Sequence, residues 1–350
     1  MSSSPALCRR YPGLAELLPS GATPLDATTL PDAARRLAAT FTVLPLPGAG
    51  NTLTRWQFLA AVAARDLSLA KVHEAHTDAN AILAELSPEG RGKDIADTCS
   101  SITIYGVWAA RSPRNEVRVT RCGGDQVSLH GTKSWCSGAR FVTHALVTCT
   151  DAHGEDWLAN VPMHQSGVAV NMRGWEAVGM AATQSVEVEF SDARATLVGG
   201  PGAYLRRPGF WHGGAGIAAC WYGAAAALAE RLRDAALHRD DPHLRAHLGA
   251  TDVALVTARA CLRECAAAID AAPRADASKV ALRARGAAEH AVESTLRACS
   301  RGMGAGPLCR DPWFARMCTD LPVFVRQSHA EADLAILAAS VASAGEDWRL

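Results

Sequence analysis

Eleven consecutive residues carry the strongest chemical signal in the chain: Leu129-His130-Gly131-Thr132-Lys133-Ser134-Trp135-Cys136-Ser137-Gly138-Ala139. A strand-like run ends there in a glycine turn, with a tryptophan beside small hydroxyl and thiol side chains. The face of Trp135 can lie against a planar ring system. The Ser137 hydroxyl and nearby backbone N–H groups can donate hydrogen bonds to polar atoms of such a ring. The same residues also describe a core tryptophan at a β turn, so the segment taken alone leaves both readings open. The thiols are a weaker signal. Eleven cysteines are scattered with no C-x-x-C pair, and the one close pair, Cys261 and Cys265, sits four residues apart on an Arg- and Ala-rich stretch. That usage predicts buried, reduced thiols and no metal site.

Positioning such a corner requires rigid elements, and the local patterns supply three groups of them. Residues from about 12 to 97 are helical in character, with apolar periodicity in 14–18, 32–39, 55–64 and 67–86 and Pro/Gly/Thr punctuation at 45–52. In the last of these, Leu69, Val72 and Ala75 share a face, and Asp66 can cap the helix. Residues from about 100 to 200 form short, alternating, β-branched runs such as Val117–Thr120, Ala145–Thr150 and Val186–Phe190, separated by turns such as Gly123-Gly124-Asp125. Helical periodicity then returns in segments near 210–237, 243–271, 274–303 and 311–343, where alanine suits close helix approach. The predicted organisation is a mostly helical α+β fold. It has an N-terminal helical domain over 1–98, a middle antiparallel β domain over 99–203 and a C-terminal four-helix bundle over 204–350.

The 129–139 segment resembles the G-x-K-x-W-[IC]-[TS]-[NG] pattern of the acyl-CoA dehydrogenase superfamily. The resemblance implies an FAD cofactor, with Trp135 against the isoalloxazine and Ser137 hydrogen-bonding near its reactive N5. Cys136 and Ser137 stand where Ile-Thr is commoner, which keeps the hydroxyl. Val178 to Phe190 is similar to the family's G-x-[RM]-x-[ST]-x-[ST]-x₄-F stretch, and Gly199 to Gly202 to its passage into the bundle. Gly302 to Gly306, with Gly304 at its centre, resembles the glycine-rich turn that joins the FAD-binding interface between subunits. A homodimer or homotetramer is implied with it.

Two departures bear on activity. The family's T-E-P-x-x-G-S-D loop corresponds here to Gly106 to Asn115, which keeps a Pro and a hydroxyl but lacks the acid and the glycines. Flavin contacts from this loop are expected through backbone around Trp108 and Ala109. Dehydrogenation of an acyl thioester also needs a base near the α-carbon in a dry pocket. The family's two glutamate positions correspond to Ser328 and Gly213. His329 and Glu331 beside the first position, and His212 beside the second, are the remaining candidates for that base. Arg326 suits a phosphate or carboxylate, and Trp211, Trp221, Tyr222 and Phe324 could narrow an acyl pocket.

Three readings follow. The first is an FAD-dependent dehydrogenase of CoA- or carrier-bound acyl thioesters, passing electrons to an electron-transfer flavoprotein or oxygen. The second is a flavin monooxygenase or oxidase on the same fold, which needs no α-proton base. The third is an inactive partner subunit. A zero formal net charge without runs of like charge argues against a nucleic-acid or anionic-membrane surface. The N-terminal residues lack an apolar signal core and no stretch is long enough to span a bilayer, so a cytoplasmic protein is expected.

Overall fold

Strand alternation and helical periodicity are realised in two compact units, seen in a computed structural model that describes residues 11–18, 23–42, 44–87, 102–111, 116–344 and 348. One unit comprises Leu25–Leu44 and Ser68–Phe210. The other comprises Pro45–Leu67, Trp211–Leu350 and the residues up to Pro24. Helices α1 (Pro12–Leu17), α2 (Leu30–Thr40), α3 (Thr52–Ala63) and α4 (Leu67–Leu86) precede the strands, close to the predicted runs.

The first unit is built on seven strands: β1 (Tyr105–Trp108), β2 (Val117–Gly123), β3 (Gln126–Cys136), β4 (His144–Thr150), β5 (Asp156–Pro162), β6 (Val168–Asn171) and β7 (Val186–Leu197). Strands β4, β2, β3, β7 and β5 follow one another, and β5 pairs back onto β4, closing a five-stranded barrel. Val127 and Leu129 of β3 and Val188, Phe190, Ala193 and Ala195 of β7 turn inward by alternation, with an irregularity at Ser191-Asp192 that resets it between Phe190 and Ala193. Helix α4 brings Ala79, Ile82 and Leu83 into a core with Tyr105, Leu146, Leu158 and Val198. The expected all-antiparallel domain is corrected here: β1 runs parallel to β4, and β2 meets β4 in parallel as well. Alternation fixes which side chains face inward but carries no information about strand direction.

The second unit holds three long helices, α6 (Gly209–His238), α7 (Pro242–Ala271) and α8 (Ser278–Met303); the short α5 (Ala203–Arg206) belongs to the first. The predicted fourth bundle helix is broken. After a short α9 (Ala305–Arg310), it comprises α10 (Pro312–Phe324), a 3₁₀ turn over Val325–Gln327 and α11 (Glu331–Ala344). Pro312 cannot continue an incoming helix, and Asp311 caps the new one by accepting from the Phe314 N–H at 3.1 Å. Ala330, at φ 47°, separates the last two pieces.

Helix α3 takes its cap from a neighbouring helix. Asn51 makes no side-chain cap bond. Instead Asp270 of α7 accepts from the Thr52 N–H at 3.0 Å, the Thr52 hydroxyl at 2.6 Å and the Gly50 N–H at 3.1 Å. Asp270→Ala leaves these donors unpaired beside the buried Thr52, so urea denaturation should show a loss of about 2 kcal/mol. Asp270→Asn, which keeps one acceptor, should recover part of it.

Candidate functional site

The end of β3 departs from regular pairing between Lys133 and Cys136. Lys133 and Cys136 both point into the barrel, so the two residues between them form an outward bulge that re-aims Trp135. Trp135 has φ 59° and remains 48% exposed. A bulky residue in the left-handed region costs on the order of 1–3 kcal/mol, and such strain concentrates where a side chain must be presented. Met180 (φ 56°) and Gln184 (φ 41°) flank the 3₁₀ turn Ala181–Thr183, and the Gly138 N–H donates to the Thr183 carbonyl at 2.8 Å. Three of the five non-glycine residues with positive φ among the described residues therefore lie on two joined segments.

Hydroxyls line this corner. Ser137 Oγ lies 2.7 Å from Ser185 Oγ, Ser185 Oγ lies 2.9 Å from Thr183 Oγ1, and the Thr183 hydroxyl donates to the Met180 carbonyl at 2.7 Å. Trp108 is buried, and its indole N–H donates to the Ser137 carbonyl at 3.2 Å. Gly106 makes room for that ring, since a Cβ there would stand 2.8 Å from the Trp108 indole nitrogen. Behind the bulge, the Lys133 ammonium donates to Thr148 Oγ1 at 2.7 Å and to the Thr148 carbonyl at 3.2 Å. The Thr148 hydroxyl in turn donates to the Ala109 carbonyl at 3.3 Å. Burial pulls the Lys133 ammonium down to about 8. Burial likewise holds the Cys136 thiol far above its ordinary range and pushes Cys149 up to about 12, so neither thiol is a nucleophile at neutral pH.

The predicted cofactor residues thus divide by role. Trp135 is presented, and the half-buried Ser137 sits beside it. Cys136 is turned into the barrel, where its thiol approaches the Lys133 carbonyl at 3.2 Å, so only its backbone is available to a ligand. Trp108 and Ala109 support the corner from behind. The rest of the expected flavin loop, residues 112–115, lies outside the described residues. Gly304 belongs to the other unit, where its φ of 68° ends α8. Thr183 and Ser185 stood inside a motif that the sequence shows, yet their joint contact with Ser137 could be found only across the barrel.

In the second unit, Ser328 is buried and gives its hydroxyl hydrogen to Glu289, which is also ion-paired with Arg326. Arg326 has a further carboxylate, Glu293, at 3.4 Å. His329 is 76% exposed, with Nδ1 3.3 Å from Asp333 Oδ1, and Glu331 is exposed in the first turn of α11. Asp333 is held by the buried Arg285 at 3.1 Å, and Arg285 also donates to the carbonyls of Gly214 and Gln327. His212 and Phe324 are buried and Trp211 is partly so. His329, a candidate base by its place beside Ser328, faces solvent.

The chain shares its fold with solved structures, FMN-bound enzymes among them. No family model matches the chain, and no curated protein matches it. Solved structures do. KijD3 in complex with FMN and dTDP-3-amino-2,3,6-trideoxy-4-keto-3-methyl-D-glucose superposes with a TM-score of 0.77 at 18% identity, covering 97% of this chain and 94% of that one. The FMN-bound dibenzothiophene monooxygenase TdsC from Paenibacillus sp. A11-2 gives 0.76 at 18% identity over 96% and 95%. A nitrososynthase from Micromonospora carbonacea var. africana gives 0.75 at 17% identity, covering 97% of each. Among the described residues no helix is long and apolar enough to cross a membrane.

Proposed function

We propose that this protein is a flavin-dependent monooxygenase that uses reduced FMN and oxygen. The observation that carries the reading is what became of the base positions. Thioester dehydrogenation delivers an α-proton to a base in a dry pocket. The positions that the family resemblance gives to that base hold Gly213 and Ser328. The Ser328 hydroxyl is committed to Glu289, Glu289 is ion-paired with Arg326, and His329 and Glu331 face water, which leaves the buried His212 as the one remaining candidate and no carboxylate at either position. Oxygen chemistry makes no such demand.

The corner at the end of β3 fits a flavin. Trp135 is held in a strained conformation with its ring outward, and Ser137 offers a polar contact beside it. Lys133, Thr148 and Trp108 fix the backbone on which both stand. Bound reduced flavin would supply the two electrons that activate oxygen. FMN replaces the FAD expected from the family resemblance, a choice supported by the solved neighbours that hold FMN. A separate flavin reductase would then supply the electrons, and oxygen would take the place of an electron-transfer flavoprotein. A homo-oligomer belongs to the same reading. Helix α11 has no charged residue after Asp333, and it exposes 55% of Leu334 and 53% of Ile336, an apolar surface that a second copy would cover.

Titration with FMN, read by flavin fluorescence, should show saturable binding that Trp135→Ala weakens about tenfold, the scale of one aromatic contact. Octanoyl-CoA or isobutyryl-CoA added to the oxygen-free FMN-loaded protein should leave the flavin absorbance unchanged. Reduced FMN bound to the protein should react with oxygen at a rate different from that of free reduced FMN. Bleaching by either thioester would restore the dehydrogenase reading, whereas failure to bind FMN or FAD would favour the inactive partner subunit.

A further inference from the structure

The hydroxyl chain behind Ser137 has a polarity that can be worked out link by link. Each Ser or Thr hydroxyl has one hydrogen to give and can accept at its oxygen. The Thr183 oxygen lies 2.7 Å from the Met180 carbonyl, which can only accept, so the Thr183 hydrogen is used there. The 2.9 Å contact between Thr183 and Ser185 then needs its hydrogen from Ser185. With that hydrogen gone, the 2.7 Å contact between Ser185 and Ser137 needs its hydrogen from Ser137. Any other assignment leaves two oxygen lone pairs facing each other inside the protein. Thr183 and Ser185 are 1% and 4% exposed, so water cannot relieve that repulsion.

The chain therefore runs Ser137 to Ser185 to Thr183 to the Met180 carbonyl, each group donating to the next. The consequence falls on Ser137. Its one hydrogen is directed inward, and it presents only acceptor lone pairs to whatever lies against Trp135. Oxidised flavin carries a lone pair at N5, an acceptor, whereas two-electron-reduced flavin carries an N–H there, a donor. We propose that Thr183 and Ser185 are positioning residues that make Ser137 an obligate acceptor, so that the corner selects reduced over oxidised flavin. This rests on the flavin reading above and deepens it. A protein that takes flavin already reduced and must release it oxidised gains from a site whose hydrogen bond forms only with the reduced state.

The test compares binding of oxidised and of dithionite-reduced FMN, without oxygen, to the full-length protein. In the wild type, reduced FMN should bind about tenfold more tightly, equivalent to a rise of about 30 mV in the two-electron potential of the bound flavin. Ser185→Ala removes the inward acceptor and frees the Ser137 hydrogen to donate to oxidised flavin, so the preference should collapse to about onefold or reverse. Thr183→Val should shift it in the same direction, and Thr183→Ser, which keeps the hydroxyl, should retain the wild-type ratio. Thermal unfolding of each variant shows that it is folded, and a loss of stability alone would weaken both flavin states equally. A wild-type ratio near one, or a ratio unchanged in Ser185→Ala while Trp135→Ala still weakens FMN, would overturn this inference and leave the flavin reading standing. No binding of FMN in either state would overturn both.

Discussion

Gly223→Ala should lower the unfolding free energy by about 3 kcal/mol, although helix propensity alone favours alanine by about 1 kcal/mol. Gly223 lies in the middle of α6, and a Cβ there would stand 2.2 Å from the Ala60 carbonyl oxygen, 2.6 Å from its Cα and 2.7 Å from its carbonyl carbon. These are backbone atoms of α3, so no side chain can swing aside and one helix must move off the other. Separating them would loosen packing around Trp56, Phe58 and Trp221, all nearly fully buried. Gly249→Ala on α7 is the control. That glycine is exposed with nothing within 4 Å of a new Cβ, and the substitution should gain about 1 kcal/mol. Urea denaturation of both variants gives the two signs directly. Equal gains would mean that α3 and α6 do not approach at Gly223.

The same helix shows what the sequence could and could not say. Alanine in the segment near 210–237 suited a close helix approach. It could not say whether the partner was another subunit or another helix of the same chain. Ala224, Ala225 and Ala227 are buried within the chain itself. Trp135 and Ser137 were legible as a pair because both stand on one short segment. Their supports were not, since Ser185 is 48 residues from Ser137 and Thr148 is 15 from Lys133. Contacts of that kind are set by barrel closure, which the alternation of β3, β4 and β7 permits without specifying. The prolines at 312 and 322 were visible punctuation within the predicted fourth bundle helix. The apolar period runs on through them, which is why the segment read as continuous. His329 shows the limit of adjacency: it faces solvent while Ser328, one residue before it in extended backbone, is buried.

Lys133→Met should raise stability by about 2 kcal/mol at pH 7, and the gain should fade as the pH climbs through 8 toward 10.5. Burial is the first cause of the low lysine value, about 8 in the folded protein. Against about 10.4 in an unfolded chain, the difference corresponds to about 3 kcal/mol. The lost bonds to Thr148 offset about 1 kcal/mol of that in the variant. Below pH 8 the amine is charged in both states, and the folded state carries the full desolvation cost. Between about 8 and 10.4 the unfolded chain binds more protons, so wild-type stability gains from rising pH; above that window the cost is gone. Cys136 and Cys149 beside it favour the charged amine and Arg111 opposes it, each by less than burial does. Buried thiols, and the Tyr105 phenol pushed up to about 12, lose stability at high pH in wild type and variant alike, so they cancel in the difference. Denaturation of both proteins at pH 7, 8, 9 and 10 measures it, and a difference that stays flat would show that no charged lysine is buried in the barrel. A lysine that destabilises its own fold calls for a compensating use. Here its ammonium donates to Thr148, the Thr148 hydroxyl holds the Ala109 backbone, and the adjoining Trp108 holds the Ser137 carbonyl. The variant should therefore be the more stable protein at neutral pH and the poorer binder of flavin.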